Sequence, residues 1–295
     1  MISKSQLQKI SSRLRKGVRS HEDLEKIEAY RDSMLPHLAE VLRTSNAQLG
    51  SKDTPFLISG RPKRLKSIIR KIERMPGASI STLADIVGVR IITLGLDDQE
   101  EIFQNLKKIF KIRTVKDYRE EPNNNYHAVH LYVEIENILV EVQIRTIPQQ
   151  LWAVESEFLG ERVKEGAGSS DQVEYLEELS LQCYNLDRQK SYLDNKSAIG
   201  LKRNAICHTY PKLLHSWESS VGKSGDFCNY LLVYDNYTRE LLSLDAYSFG
   251  DQEEEISSEF CRKTRILRKD RYDVLWLNSI SKEALQVTHP IFFPS

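Results

Sequence analysis

The sequence lacks an excess of charge of either sign: Lys and Arg number 42 and Asp and Glu number 42, so net charge gives no global pull toward nucleic acid, membrane or an acidic partner. Any charge signal must be local. It also lacks paired cysteines. Cys183, Cys207, Cys228 and Cys261 are far apart with no CxxC spacing, which excludes a zinc knuckle or a dithiol redox motif and leaves reduced thiols as the expectation. No apolar run approaches the roughly 18 residues a membrane span needs, and the amino-terminal stretch MISKSQLQKISSRLRKG has no apolar signal region. A cytoplasmic protein with no membrane partner is expected. There is no internal repeat, no low-complexity tract and no GxxxxGK[ST] phosphate loop, so any phosphate binding must use side chains. What is present is 295 residues with 40% hydrophobic content, enough core for one large domain or two ordinary ones.

Residues 3–47 carry apolar residues at helical intervals, with Pro36 as the interruption, and predict one or two amphipathic helices. Residues 51–60 read as a loop, followed by a helix over RPKRLKSIIRKIER that begins with proline and stops at Met75, Pro76 and Gly77. On a helical wheel Leu65, Ile68, Ile69 and Ile72 form an apolar stripe, with Lys63, Ser67, Arg70 and Arg74 opposite and Lys71 at the flank. ADIVGVRIITL predicts a buried strand after a short helical turn, and residues 98–110 predict a helix. HAVHLYVEI and ILVEVQIRT read as an antiparallel hairpin turning near Glu136 and Asn137, part of a mixed sheet. Period two then puts Glu141, Gln143 and Arg145 on one face and Val140, Val142 and Ile144 on the other. Residues 148–194 return to helix around a loop at 166–171, and beyond Ile199 short strands flank a charged helix that starts at Glu253–Glu255. The expected architecture is an α/β, mixed α+β fold, with domains at 1–200 and 205–295.

Three groups could carry chemistry. Residues 51–80 hold eight Lys or Arg against Asp53 and Glu73, a local excess that suits a compact polyanion such as a triphosphate. Asp85 and Glu141 form a carboxylate pair that could hold a divalent cation such as Mg²⁺ together with substrate phosphates. The loop DYREEPNNNYHAVH leaves Tyr126 beside a strand, where its ring could stack on a base or cap the core. His127 and His130 are an odd number of residues apart, which excludes a two-histidine metal site on one strand face.

Taken in order, these segments resemble the RelA/SpoT synthetase family. RxKxxxSIxxK is present as Arg61, Lys63, Ser67, Ile68 and Lys71, and DxxGxRII as Asp85, Gly88, Arg90, Ile91 and Ile92. GYRSLH appears altered, as Asn125, Tyr126, His127, Ala128, Val129 and His130. ExQIRT and the following WA and glutamate appear as Glu141, Gln143, Ile144, Arg145, Thr146, Trp152, Ala153 and Glu155. The resemblance implies a nucleotidyltransferase-like mixed sheet flanked by helices, with a smaller C-terminal α+β domain, that moves pyrophosphate from ATP to the 3′-hydroxyl of GDP or GTP. It implies that Arg61, Lys63, Ser67 and Lys71 hold ATP phosphates, with Arg90 on the adenine and phosphate side. Asp85 and Glu141 would bind Mg²⁺, with Glu141 activating the acceptor hydroxyl. Tyr126 would stack on the acceptor base, His130, Gln143 and Arg145 would complete the acceptor pocket or brace its loop, and Glu155 would contact the acceptor sugar.

The chain departs from the family in its acceptor loop, where Pro122 to Asn125 replace the usual lysine and glycine and His127 replaces an arginine. That departure admits the 3′ end of tRNA or an adenine nucleotide as acceptor, and a silent nucleotide-binding sensor is a reading of another class. Trp152, Ala153, Glu157 and Gly160 match a WAxxxExxG stretch of small, single-synthetase members, which also carry a C-terminal domain with a Phe-rich tail, here 291–294. No His-Asp hydrolase pair precedes the synthetase motifs, so alarmone breakdown is not expected. The C-terminal domain, through Trp217, Trp276, Phe292 and Phe293, is expected either to pack as a core or to serve a homo-oligomer or a protein partner.

Overall fold

Three helices open the chain: α1 (Lys4–Arg15), α2 (His21–Ser33) and α3 (Leu35–Leu49). The computed structural model describes residues 2–49, 56–160, 168–188, 228–248, 250, 252–267, 271–279 and 282–293. A capping box starts α1, with Ser3 Oγ accepting from Gln6 N and Gln6 Oε1 accepting from Ser3 N. The helix stops where Gly17 adopts a φ of 75°, a conformation that costs glycine little. The expected stretch is divided twice, by this break and by a second at Met34 between α2 and α3, two residues before Pro36, where an interruption was expected. Pro36 lies in the first turn of α3, where its missing N–H would be unpaired anyway.

A second correction concerns residues 56–62, expected as loop and helix start. They form β1 (Phe56–Pro62), and α4 begins only at Leu65 (Leu65–Arg74). Phe56, Leu57 and Ile58 are all buried, and a strand covered on both faces shows no alternation to read. A Cβ on Gly60 would stand 2.5 Å from Leu42 Cδ1, so glycine is what lets α3 pack so closely on this strand.

The chain continues through a 3₁₀ turn (Ile80–Thr82), β2 (Val87–Thr93), α5 (Leu96–Ile109), β3 (Ile112–Asp117), β4 (Val129–Ile135) and β5 (Ile138–Thr146). The turn after β4 has φ of 49° at Glu136 and 66° at Asn137, the left-handed pair of a tight hairpin. Strand β3 has no counterpart in the sequence reading, because it is an exposed edge strand rich in charge. Then come α6 (Ile147–Leu159), α7 (Ser170–Arg188), β6 (Cys228–Asp235), β7 (Glu240–Ser248), α8 (Glu253–Ile266), β8 (Tyr272–Ser279), α9 (Lys282–Thr288) and a 3₁₀ turn at Pro290–Phe292.

The eight strands form one sheet in the order β3-β4-β5-β2-β1-β8-β6-β7. Strands β2 and β5 run parallel, and the other pairings are antiparallel. The boundary expected near residue 205, with Cys207, Trp217 and residues 166–167, lies outside the described residues. Across that interval the sheet is continuous, because β8 pairs with β1 through Ile58↔Asn278, Ser59↔Leu277 and Gly60↔Trp276.

One face of the sheet carries the main core. Val89, Ile91, Leu131, Val142, Ile144, Val233 and Trp276 pack there against apolar residues of α1 to α5 and α8. On the opposite face α6 and α7 cover Leu57 and Ile92, while Leu285 of α9 and Phe292 cover Leu232, Tyr234, Leu275 and Leu277. Cys183 is a free thiol on the buried side of α7. Among the described residues no helix is long and apolar enough to cross a membrane.

Candidate functional site

The polar side chains of five segments meet on that second face. Register places Arg61 opposite Gly88 and Gly88 opposite Glu141, so these three residues stand in one row across β1, β2 and β5. The next row holds Ser59, Arg90, Gln143 and His130. Tyr132 lies beside Glu141 on β4. The period-two reading of β5 therefore holds: Val140, Val142 and Ile144 are fully buried in the core, and Glu141, Gln143 and Arg145 face the polar strip. Gly88 leaves a gap in this strip between Arg61 and Glu141, since a Cβ there would meet nothing closer than Glu141 O at 3.5 Å.

At one end of the strip, charge dominates. Lys63 follows β1, Lys71 projects from α4, and both reach the same oxygen: Lys63 Nζ lies 2.8 Å and Lys71 Nζ 2.6 Å from Asp85 Oδ2. Burial would raise the Asp85 carboxyl, but the two lysines outweigh it and hold it below the usual aspartate range. Arg64 Nε donates to Asp273 Oδ1 at 2.9 Å, and Arg61 Nη1 lies 3.7 Å from Asp273 Oδ2. Arg90 is pulled down to about 10 by burial and by Arg145, against the attraction of Glu157, whose Oε1 is 3.7 Å from Arg90 Nη2. His289 is buried beside Ser59, Nε2 to Oγ 3.3 Å, and burial with the charges of Arg90 and Arg61 lowers it to about 3.

The other end is a hydrogen-bonded network around Glu141. His130 Nδ1 lies 3.0 Å and Tyr132 Oη 3.1 Å from Glu141 Oε1, while Gln143 Nε2 donates to Glu141 Oε2 at 2.8 Å. Burial would raise this carboxyl, but the hydrogen bonds from His130, Gln143 and Tyr132 prevail and hold it below the usual glutamate range. Behind this first ring, Tyr126 Oη sits 2.8 Å from His130 Nε2. Arg145 donates to Tyr126 Oη through Nε at 3.0 Å and Nη2 at 2.8 Å, and Nη2 also meets Gln143 Oε1 at 2.7 Å. The Tyr126 ring packs against His130 edge to face at 5.5 Å and against Trp152 at 5.9 Å.

The predicted residues thus divide into groups. Lys63, Lys71 and Asp85 converge, and Tyr126, His130, Glu141, Gln143 and Arg145 converge, with Arg61 and Arg90 on the strip near Glu157 and His289. Ser67 stands one turn before Lys71 on α4, whose first turn has no side-chain cap. Glu155 is turned toward Tyr175, 3.5 Å from its hydroxyl, and is not part of the network. The basic shelf expected along the helix is split: Lys66 and Arg70 line a shallow cleft with Arg19 on the outer side of α4. Tyr132, Asp273, His289 and Gln150 were missed. Tyr132 could have been found by extending the period-two reading to HAVHLYVEI, because it shares a face with His130. The other three carry no local motif.

The carboxylates fit a hard cation. Asp85 Oδ1 is buried without a hydrogen-bond partner, while Oδ2 carries both lysines. Glu141 accepts three bonds, which leaves room at Oε2 within the roughly four acceptor positions of a carboxylate. Both charges act on the Tyr132 hydroxyl and help to raise its pKa after burial. Among the described residues no group of three or more His, Cys, Asp or Glu is arranged to hold a metal, so substrate oxygens would have to complete any coordination.

Comparison with known proteins puts this strip in a family context. Residues 60–158 match the family described as "Region found in RelA / SpoT proteins". An uncharacterized protein of Mycobacterium bovis, Mb1401, is 32% identical over 124 residues, covering 41% of this chain and 45% of that protein. The GTP pyrophosphokinase YjbM of Bacillus subtilis is 36% identical over 109 residues, covering 32% of this chain and 52% of that protein. Among solved structures, the small alarmone synthetase 1 from Bacillus subtilis is similar at 25% identity and a TM-score of 0.45, covering 55% of this chain and 91% of that one. The chain spans about half the length of the curated relatives it matches.

Proposed function

We propose that the chain is a pyrophosphokinase that transfers the β,γ-pyrophosphate of ATP to the 3′-hydroxyl of GDP or GTP. The observation that carries this reading is the placement of Glu141, an ionised carboxylate held by three donors, on a sheet face shared with Arg61 and Arg90 and flanked by the Lys63–Asp85–Lys71 cluster. Both halves lie in the RelA/SpoT region, and YjbM, which matches that region, is named a GTP pyrophosphokinase.

In this reading the lysines and Arg61 bind the ATP phosphates, helped by the uncapped first turn of α4 with Ser67. Their present carboxylate partners, Asp85 and Asp273, are the anions that phosphate would replace or join. Arg90 holds the base and phosphate side of the donor. The acceptor 3′ oxygen attacks the β-phosphorus, a new P–O bond forms, the bond from the β-phosphorus to the α,β-bridging oxygen breaks, and AMP leaves with that oxygen. Glu141 takes the hydroxyl proton, which becomes more acidic as the P–O bond forms. Asp85, with Glu141, would hold Mg²⁺, which when bound neutralises charge on the phosphate oxygens. Tyr126 and Gln143 face the acceptor side.

The test offers γ-labelled ATP and Mg²⁺ to the purified protein with GDP, GTP, ATP or bulk tRNA as separate acceptors. Label on GDP or GTP is expected. Label on tRNA or on an adenine nucleotide would move the acceptor assignment, and label on none of them would contradict the proposal.

A further inference from the structure

The hydrogen-bond directions around Glu141 are fixed by elimination. Arg145 is a pure donor, and its Nε and Nη2 both point at Tyr126 Oη, at 3.0 and 2.8 Å. The hydroxyl accepts both, so its single hydrogen is left for His130 Nε2 at 2.8 Å. An Nε2 that accepts leaves the ring proton on Nδ1, which faces Glu141 Oε1 at 3.0 Å. The second arm runs the same way: Arg145 Nη2 donates to Gln143 Oε1 at 2.7 Å, so the amide must turn its Nε2 toward Glu141 Oε2, 2.8 Å away. One guanidinium therefore orders donors onto both oxygens of the carboxylate. Arg145 is itself fixed from behind by Gln150, which accepts from Nη1 at 2.9 Å and donates to Thr288 O at 3.0 Å. Arg145 is only 2% exposed, so this order belongs to the folded chain before any substrate arrives.

We infer that Arg145, Tyr126 and His130 are positioning residues, a yoke that sets the direction of the Glu141 carboxylate through the Nδ1–H tautomer of His130 and the oriented amide of Gln143. This rests on the pyrophosphokinase reading for its kinetic consequence but not for its geometry. It gives the Tyr126 hydroxyl a task separate from any stacking by its ring. A carboxylate with both oxygens directed keeps one orientation toward the attacking hydroxyl, whereas one held by Tyr132 alone can rotate.

Tyr126→Phe separates the two tasks, because it keeps the ring and removes the hydroxyl. It is expected to lower kcat about tenfold, with KM for the acceptor and Kd for ATP changed less than about twofold. His130→Ala is expected to lower kcat about 100-fold, and His130→Asn, whose amide nitrogen can replace Nδ1 as donor, should restore most of that loss. The tautomer is read separately, by two-bond nitrogen–proton correlation in protein labelled in its histidine rings, with His130→Asn identifying the signal and melting curves showing that each variant folds. Wild type should show His130 as the Nδ1–H form, and Tyr126→Phe should show a mixture. An Nε2–H form in wild type, wild-type kcat in Tyr126→Phe, or an acceptor KM rise in place of a kcat fall would each overturn the inference. If the wild-type protein moved no pyrophosphate, the activity reading alone would fail, and the ring spectrum would still decide the yoke.

Discussion

The two ends of the polar strip are held by different forces. Around Asp85 and Asp273 the partners are Lys63, Lys71, Arg61 and Arg64, cations whose side chains are 28 to 41% exposed. Around Glu141 the partners are His130, Tyr132 and Gln143, ordered from behind by the buried Arg145. Partly exposed ion pairs exchange one anion for another at little cost, since solvent already screens them. A buried network with every donor directed resists rearrangement. In the proposed reading the donor end would trade carboxylate for phosphate, and the acceptor end would hold one carboxylate still.

The largest expected effect probes the still end. Glu141→Gln should lower transfer by about 1,000-fold, within the usual range for a lost general base, while ATP affinity stays within about twofold of wild type; near wild-type turnover would remove Glu141 from the chemistry. Lys71→Ala probes the exchangeable end and should weaken ATP binding by about 10- to 100-fold, read by calorimetry with a non-hydrolysable analogue, with little change in acceptor KM. If acceptor KM rose as much, the division of the strip into two ends would be wrong.

Asp273→Asn should cost about 1 to 2 kcal/mol of stability in denaturant titration, because it leaves Arg64 with a weaker partner, and it should not weaken ATP binding. Weaker ATP binding would mean that Asp273 orients the arginines and does not compete with phosphate.

The smallest effect concerns Asp187, under the site, where burial raises the carboxyl to about 7 in spite of bonds from Thr146 and Gln149. Because the folded-state value lies above the unfolded one, the native state binds more protons between about 4 and 7, and stability falls as pH rises through that window. Asp187→Asn should therefore lose about 3 °C less in Tm than wild type between pH 5.5 and 8. Equal losses in both proteins would show that Asp187 is ionised in the fold at both pH values.

What was legible in the sequence followed from local spacing. The β4–β5 hairpin, its turn at Glu136 and Asn137 and the polar row Glu141, Gln143 and Arg145 needed only alternation and turn chemistry. The convergence of Lys63 and Lys71 on Asp85 was half legible: the basic residues were evident, but they were assigned to one helix face, because β1 has no alternation and hid the true start of α4. Asp273 and His289 were not legible at all. They reach Arg64 and Ser59 across more than 200 residues of chain, through the pairing of β8 with β1 and the return of the C-terminal segment over the sheet. The Tyr126 hydroxyl shows the same limit at short range, since the sequence reading weighed the ring and the fold turns the hydroxyl inward.

The central claim is tested most directly by following β-labelled and γ-labelled ATP in parallel with GDP as acceptor. The account predicts that both labels arrive on the guanine nucleotide in equal amounts, with one AMP released for each transfer. Arrival of the γ-label alone with release of ADP would make the protein a phosphate-transferring kinase and contradict the account.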